Sequence, residues 1–166
     1  MARFSRTLPI LALLALSACA QPFGGAGSGA NGGAGAGGAG SLNPSSPAYF
    51  QQTVGDRVLF EVDQAVLTDT ARATLTQQAR WLSTNGAYTA VIEGHADEQG
   101  TREYNLALGA RRASAVQEYL VSQGVAPGRL RTVTFGKERP IEVCSDESCY
   151  SRNRRAVTVL ATGAGV

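Results

Sequence analysis

No Asp, Glu, Lys or Arg occurs between Cys19 and Gly55. A segment that long without charge, almost wholly Gly and Ala from Gly24 to Gly40, cannot bury enough apolar surface to order itself. The apolar run Leu8 to Leu16 is about half of the ~20 residues that a membrane-spanning helix needs. Histidine occurs once, as His95, and only Cys144 and Cys149 follow Cys19. That set is short of the four ligands of a zinc site. It also offers no Ser or Cys nucleophile with a base beside it. No metal, no cofactor and no enzyme activity are expected, and His95, beside a strand, reads as a hydrogen-bonded structural residue. Asp97 and Glu98 are sequence neighbours, which is not the arrangement of a glycosidase pair flanking a sugar. The chain is also too short for a porin barrel.

The N-terminus carries Arg3 and Arg6, then the apolar run, then Ser17-Ala18-Cys19. A basic start, a short apolar core and small residues before a boundary describe a secretory signal peptide over residues 1–18. Leu16-Ser17-Ala18-Cys19 also resembles the bacterial lipobox, in which the cysteine is acylated and becomes the new N-terminus. Cys19 is therefore the expected lipidation site. Ala20 follows it where inner-membrane retention uses aspartate, so the outer membrane is the expected destination, with the domain facing the periplasm. Residues 19–55 read as a lipidated cysteine and a flexible tether, residues 20–55 of which span about 30–35 Å on root-mean-square. The whole chain has 15 Lys+Arg and 13 Asp+Glu; without Arg3 and Arg6 it has 13 of each. No basic stripe remains for phosphates, so no nucleic acid is expected as a partner. In a secreted compartment Cys144 and Cys149 form the expected disulfide.

Residues 56–162 make one domain of ordinary size. Val58 to Val62 alternates as a strand does. Thr68 suits a helix N-cap, with helical spacing through Leu82 and a stop at Asn85-Gly86. Thr89 to Glu93 reads as a second strand. Thr101 caps a second helix that runs to Gln123, with Gly124 and Pro127 beyond. Leu130 to Phe135 and the valine-rich Ala156 to Leu160 complete the pattern. The order β-α-β-α-β-β predicts an α+β fold, a two-layer sandwich with helices on one sheet face.

The second helix carries the candidate site. Its predicted core stripe is Leu106, Ala110, Ala113, Val116 and Leu120. At ~100° per residue Asn105 and Arg112 fall on one edge beside that stripe, while Arg111 faces solvent. Asp97 lies in the turn before the helix. Asp97 suits an ammonium, Arg112 presents a planar fork matched to a carboxylate, and Asn105 offers a donor and an acceptor. Together they suit a ligand with an amine and a carboxylate on one carbon. The same spacing fits a plain surface salt bridge between Asp97 and Arg112, worth ~0–1 kcal/mol.

The stretches Glu93-Gly94-His95-Ala96-Asp97-Glu98, Gly100-Thr101-Arg102-Glu103-Tyr104-Asn105, Leu106-Ala107-Leu108-Gly109 and Arg111-Arg112-Ala113 resemble the OmpA-like C-terminal domain, and within it the peptidoglycan-associated lipoproteins. Phe135-Gly136-Lys137-Glu138-Arg139-Pro140 and Asn153-Arg154-Arg155-Ala156-Val157 continue the resemblance in order. It implies an OmpA-like sandwich and non-covalent binding of peptidoglycan through meso-diaminopimelate of the stem peptide. Asp97 and Arg112 match the ligand-binding pair, Asn105 and Leu108 match positions lining the pocket, and Asp63 matches an aspartate of the first loop. It also implies the Tol–Pal system, with TolB and other Tol components as partners and a role in envelope integrity and outer-membrane invagination during division. Gln99 stands where these proteins usually have arginine, and the Cys144–Cys149 loop is not general among them. Stator anchors share the domain but require a transmembrane helix with a functional acid. The alternative reading is a structural outer-membrane spacer without wall binding.

Overall fold

The computed structural model describes residues 42–162; the signal-peptide and Cys19 assignments, and most of the tether, lie outside them. The elements run α1 (Pro47–Tyr49), which continues as a π-helical turn (Phe50–Gly55), β1 (Arg57–Leu59), α2 (Asp69–Thr84), β2 (Tyr88–His95), α3 (Arg102–Ser122), β3 (Leu130–Gly136), α4 (Glu147–Asn153) and β4 (Arg155–Thr162). The sheet order is β1-β4-β2-β3. β2 and β3 are parallel, and β4 lies antiparallel between β1 and β2. α3 packs on β2 and β3, and α2 packs on β1 and α3. This is the α+β two-layer sandwich that the periodicities predict, with α1, its π-helical extension and α4 added.

Local chemistry fixes the two long helices. The Thr68 hydroxyl accepts the Ala71 N–H, and the Thr101 hydroxyl accepts the Tyr104 N–H, so each N-cap satisfies a donor that the helix leaves unpaired. At the far end of α2 the Arg129 guanidinium donates to the carbonyls of Leu82, Asn85 and Tyr88, closing the turn into β2. The core joins Leu75, Leu82, Ile92, Val116 and Leu120 between the layers, each contributing roughly 1.5–3 kcal/mol on burial.

Three differences from the sequence reading matter for the site. Residues 44–55, expected to belong to the tether, are docked on the domain. Trp81 Nε1 donates to the Pro44 carbonyl at 2.7 Å, and the fully buried Phe50 ring lies 4.9 Å from that of Trp81. β1 ends at Leu59 rather than Val62. Phe60 still donates its N–H to the Arg154 carbonyl at 2.9 Å, but Asp63 then adopts φ 58°, a left-handed turn that Asp tolerates better than most side chains. The chain therefore leaves the sheet and arches over α3. On α3 itself the buried face is Asn105, Leu108, Gly109, Arg112, Ala113, Val116 and Leu120; Ala110, expected in the core, is exposed.

The shift has a steric cause. Gly94 of β2 meets Gly109 of α3 backbone to backbone: a Cβ on Gly94 would collide with the Gly109 carbonyl, and one on Gly109 would lie 2.5 Å from Thr134 Oγ1. Only glycine at both places lets α3 sit this close, and that contact turns Asn105 and Arg112 into the sandwich. Cys144 and Cys149 form a disulfide with Cα atoms 5.9 Å apart. It ties the start of α4 to the preceding loop; closing so short a loop contributes about 2 kcal/mol at most.

His95, 2% exposed at the end of β2, stacks on Phe135 with ring centroids 5.4 Å apart. It is structural, but not through hydrogen bonds. Neither ring nitrogen has a partner among the described residues, and the Glu93 carboxylate stands 3.6 Å from Nε2. Burial, reinforced by the nearby Arg155 and Arg139 charges, lowers its pKa to about 4.

Two predictions follow from this packing. Gly94→Ala should destabilise the domain by about 1–3 kcal/mol in chemical denaturation, as overpacking does. Because His95 titrates lower in the folded than in the unfolded chain, its contribution is complete above pH ~6.5 and is lost as the pH falls toward 4. Over that interval wild type should lose up to about 3 kcal/mol, and His95→Phe should flatten the profile in acid-unfolding experiments.

Candidate functional site

β2, the turn after it and α3 form one strand–turn–helix unit whose turn, Ala96 to Thr101, is held on every side. Ala96 donates its N–H to the Gly136 carbonyl at 2.8 Å. Asn105 Nδ2, on the buried face of α3, donates to the Gln99 carbonyl at 2.7 Å. Lys137 Nζ donates to the carbonyls of Glu98 and Gly100 at 3.3 and 2.7 Å. Gly100, at φ 86°, supplies the left-handed bend. So fixed, the turn aims Asp97 at the loop after β1.

A pocket of about 230 Å³ opens there, lined by Val62 and Asp63 from the loop, Asp97, Gln99 and Gly100 from the turn, and Tyr104, Asn105 and Leu108 from α3. Four of the five residues proposed from sequence line it: Asp63, Asp97, Asn105 and Leu108. The Tyr104 hydroxyl donates to the Asp63 carboxylate, so the loop and α3 meet across its mouth. Two carboxylates from different elements thus face one small cavity, an arrangement suited to a cation.

Arg112, the fifth residue, is not on the pocket surface. It is 0% exposed and lies beneath the loop. Its Nε donates to the Gln64 carbonyl at 2.8 Å, Nη1 to the His95 carbonyl at 2.8 Å and Nη2 to the Glu61 carbonyl at 3.2 Å. Its guanidinium carbon stands 5.2 Å from the centre of the Phe60 ring. Burial lowers its pKa to about 10, against the opposing pull of Asp97, so it remains charged near neutral pH. The expectation that Arg112 lies beside the core stripe is therefore corrected: it is in the core, because three backbone carbonyls replace its water. Arg111 is exposed as expected and lies 6.0 Å from the Tyr104 ring centre.

Neither does Asp97 pair with Arg112. Asp97, 7% exposed, accepts from Arg154 Nη1 at 3.2 Å. Arg154 is buried as well; its Nε donates to the Phe60 carbonyl at 3.2 Å, and its guanidinium pairs with Glu147 of α4. These two carboxylates hold the Arg154 pKa above its ordinary value, Glu147 more than Asp97. Asn153 extends the support, with Nδ2 donating to Glu98 Oε2 at 3.3 Å. Sequence reasoning assigned no role to Arg154. The signal was the Asn153-Arg154-Arg155 triplet entering an otherwise apolar strand, where charge has to be paired to be buried.

Among the described residues, one group has metal-ligand types in proximity, Cys144, Asp146 and Cys149. Its cysteines are joined in the disulfide, which removes the thiolates a soft metal would take.

Residues 59–154 match the OmpA family. The peptidoglycan-associated lipoprotein of Mesorhizobium japonicum is 50% identical over 168 residues, covering 95% of this chain and 92% of that protein. That of Agrobacterium fabrum is 49% identical over 180 residues, covering 100% of this chain and 94% of its own. Among solved structures, the peptidoglycan-associated lipoprotein from Burkholderia pseudomallei superposes with a TM-score of 0.66 at 35% identity, over 72% of this chain and 100% of that one. The C-terminal domain of Helicobacter pylori MotB superposes with a TM-score of 0.61 at 21% identity, over 66% of this chain and 86% of that one, a likeness of fold alone. The chain belongs to the OmpA family, and within it to the peptidoglycan-associated lipoproteins.

Proposed function

We propose that this chain is an outer-membrane lipoprotein, acylated at Cys19, whose periplasm-facing domain holds peptidoglycan non-covalently by the free end of meso-diaminopimelate. The observation that carries the reading is the convergence of Asp63 and Asp97 on one pocket of about 230 Å³. The ammonium of the stem-peptide residue lies between these carboxylates. Its carboxylate engages the Arg112 fork, which has five N–H groups, and replaces the loop carbonyls of Glu61 and Gln64 there. That step needs the loop to shift and to give up two hydrogen bonds from a charged donor, roughly 1.5–3 kcal/mol each, which the new carboxylate–guanidinium pair offsets. Asn105 and Leu108 shape the wall of the pocket. The protein acts by binding, not by catalysis.

The position of the docked N-terminal segment supports a bridging role. The described chain enters beside Trp81 and Tyr88, where Pro44 and Ser45 accept from their side chains. Asp97 lies past the opposite end of β2. At ~3.3 Å per strand residue the two ends of β2 are about 23 Å apart, so an anchor on one side leaves the pocket free to face the wall. Function in the Tol–Pal system is part of the same proposal: TolB and the other Tol components act on this domain, wall and TolB exclude one another, and the protein supports envelope integrity and invagination at division.

Pull-down with intact sacculi tests the site. Asp97→Ala should weaken binding by about 10- to 100-fold, the loss of one charge-assisted contact, with the fold retained because Arg154 keeps Glu147. Arg111→Ala should bind as wild type. Arg112→Ala should lose both binding and stability, since three buried carbonyls lose their donor at roughly 1–3 kcal/mol each. Walls with lysine in place of diaminopimelate should be retained less. Undiminished binding by Asp97→Ala would overturn the site assignment, and a wild type that fails to bind sacculi would favour the spacer reading.

A further inference from the structure

A second and larger cavity, of about 550 Å³, lies across the Phe60–Asp63 segment from the first. Leu59, Glu61, Thr68, Thr70, Thr74 and Ser151 line it, and Arg154 closes its inner end. The wall pocket holds one end of one amino acid; the second cavity falls in the range of sites that enclose whole small ligands.

The backbone of β1 faces the same cavity. Phe60 donates to the Arg154 carbonyl and Thr158 donates to the Asp56 carbonyl, so the even-numbered residues of β1 bond to β4. In an antiparallel pair the residues between them point the other way. The N–H and C=O groups of Arg57 and Leu59 therefore face away from β4, and among the described residues β1 pairs with no other strand. Leu59 is 48% exposed on this edge. Arg57, bonded to its neighbour Asp56, brings a guanidinium to the far end of the groove.

A ligand held by its terminal amino acid in the first pocket has to leave through the mouth between the loop and α3. We infer that the stem peptide preceding the bound residue continues over the Phe60–Asp63 segment into this groove, adding its backbone to the open edge of β1. The groove's own chemistry selects peptide. It has two residues' worth of edge donors and acceptors, which an extended peptide uses. It has threonine and serine hydroxyls for amide groups; its guanidiniums are already paired, Arg57 with Asp56 and Arg154 with Asp97 and Glu147. It lacks an exposed aromatic face on which a sugar would stack, since Phe60 is buried. This assignment rests on the proposed function and deepens it: the ligand is the stem peptide as an extended chain, not diaminopimelate alone.

Calorimetric titration of the domain separates the two claims. Three ligands are used: free meso-diaminopimelate, the stem tripeptide ending in it, and the same tripeptide carrying its disaccharide. The tripeptide should bind about tenfold more tightly than the free amino acid, the gain of one or two hydrogen bonds. Leu59→Pro removes an edge N–H that β4 does not use. Thr70→Glu, on the exposed first turn of α2, narrows the groove and repels carboxylates without touching β1, and so tests the claim even if the proline variant folds poorly. Each should abolish the tripeptide's advantage and leave free diaminopimelate binding unchanged. A tripeptide that binds no better than the free amino acid, or an advantage that survives both variants, overturns the groove assignment and leaves the wall pocket standing. An advantage that appears only with the disaccharide overturns it in favour of a sugar subsite. Failure of free diaminopimelate to bind wild type overturns the proposed function and the groove with it.

Discussion

One buried guanidinium organises this domain's binding end. Arg112 has no exposure to water, and its nitrogens hold carbonyls from two separated parts of the chain: Glu61 and Gln64 in the loop after β1, and His95 at the end of β2. Burying a charge is costly unless polar partners replace the water, and these carbonyls do so. The loop is thereby fixed over α3, Asp63 faces Asp97, and a cavity exists between them. Arg154 does the same from the other side, linking Asp97 to Glu147 and to the Phe60 carbonyl. The two arginines clamp the Phe60–Gln64 segment from opposite sides, and the pocket is the space they leave.

That arrangement explains how a small domain keeps two carboxylates aimed at one cavity without collapse. Like charges at close range repel, and each here has a donor of its own: Asp63 has the Tyr104 hydroxyl, and Asp97 has Arg154 and the Gln99 N–H. An incoming ammonium adds attraction to both without first having to break an ion pair between Asp97 and Arg112. About half of the polar network is side-chain donors on backbone carbonyls, which hold position with little freedom of rotation. The Gly94–Gly109 contact supplies the remaining constraint by setting how deeply α3 sits.

The parts of this structure governed by local chemistry were legible in the sequence. Thr68 and Thr101 announce α2 and α3, and the alternation of β2, β3 and β4 places three strands to within a few residues. What was not legible depends on distant partners. The end of β1 is set by Asp63's left-handed turn and by Arg112, some fifty residues later. α4 is seven residues long and takes its start from the Asp146 cap and the disulfide, neither of which shows as periodicity. The phase of α3 was misjudged by one position because Gly109 and Ala110 look alike as small residues, and only the contact with Gly94 decides between them. The arginines misled for a general reason. Charge was read as facing solvent or ligand, whereas Arg112 and Arg154 are frame members whose partners are carbonyls that no sequence pattern reveals. The composition of the pocket, in contrast, came through the resemblance on four of its residues, since Asp63, Asp97, Asn105 and Leu108 do share one cavity.

The central claim is that the two carboxylates receive an ammonium while the Glu61–Gln64 loop yields Arg112 to a carboxylate. A crystal structure of the domain soaked with meso-diaminopimelate tests it most directly. The account predicts the ligand's nitrogen between Asp63 and Asp97, its carboxylate on the Arg112 guanidinium, and the Glu61 or Gln64 carbonyl displaced from that guanidinium. A ligand seated elsewhere, or one bound at Asp97 with both loop carbonyls still on Arg112, would contradict it.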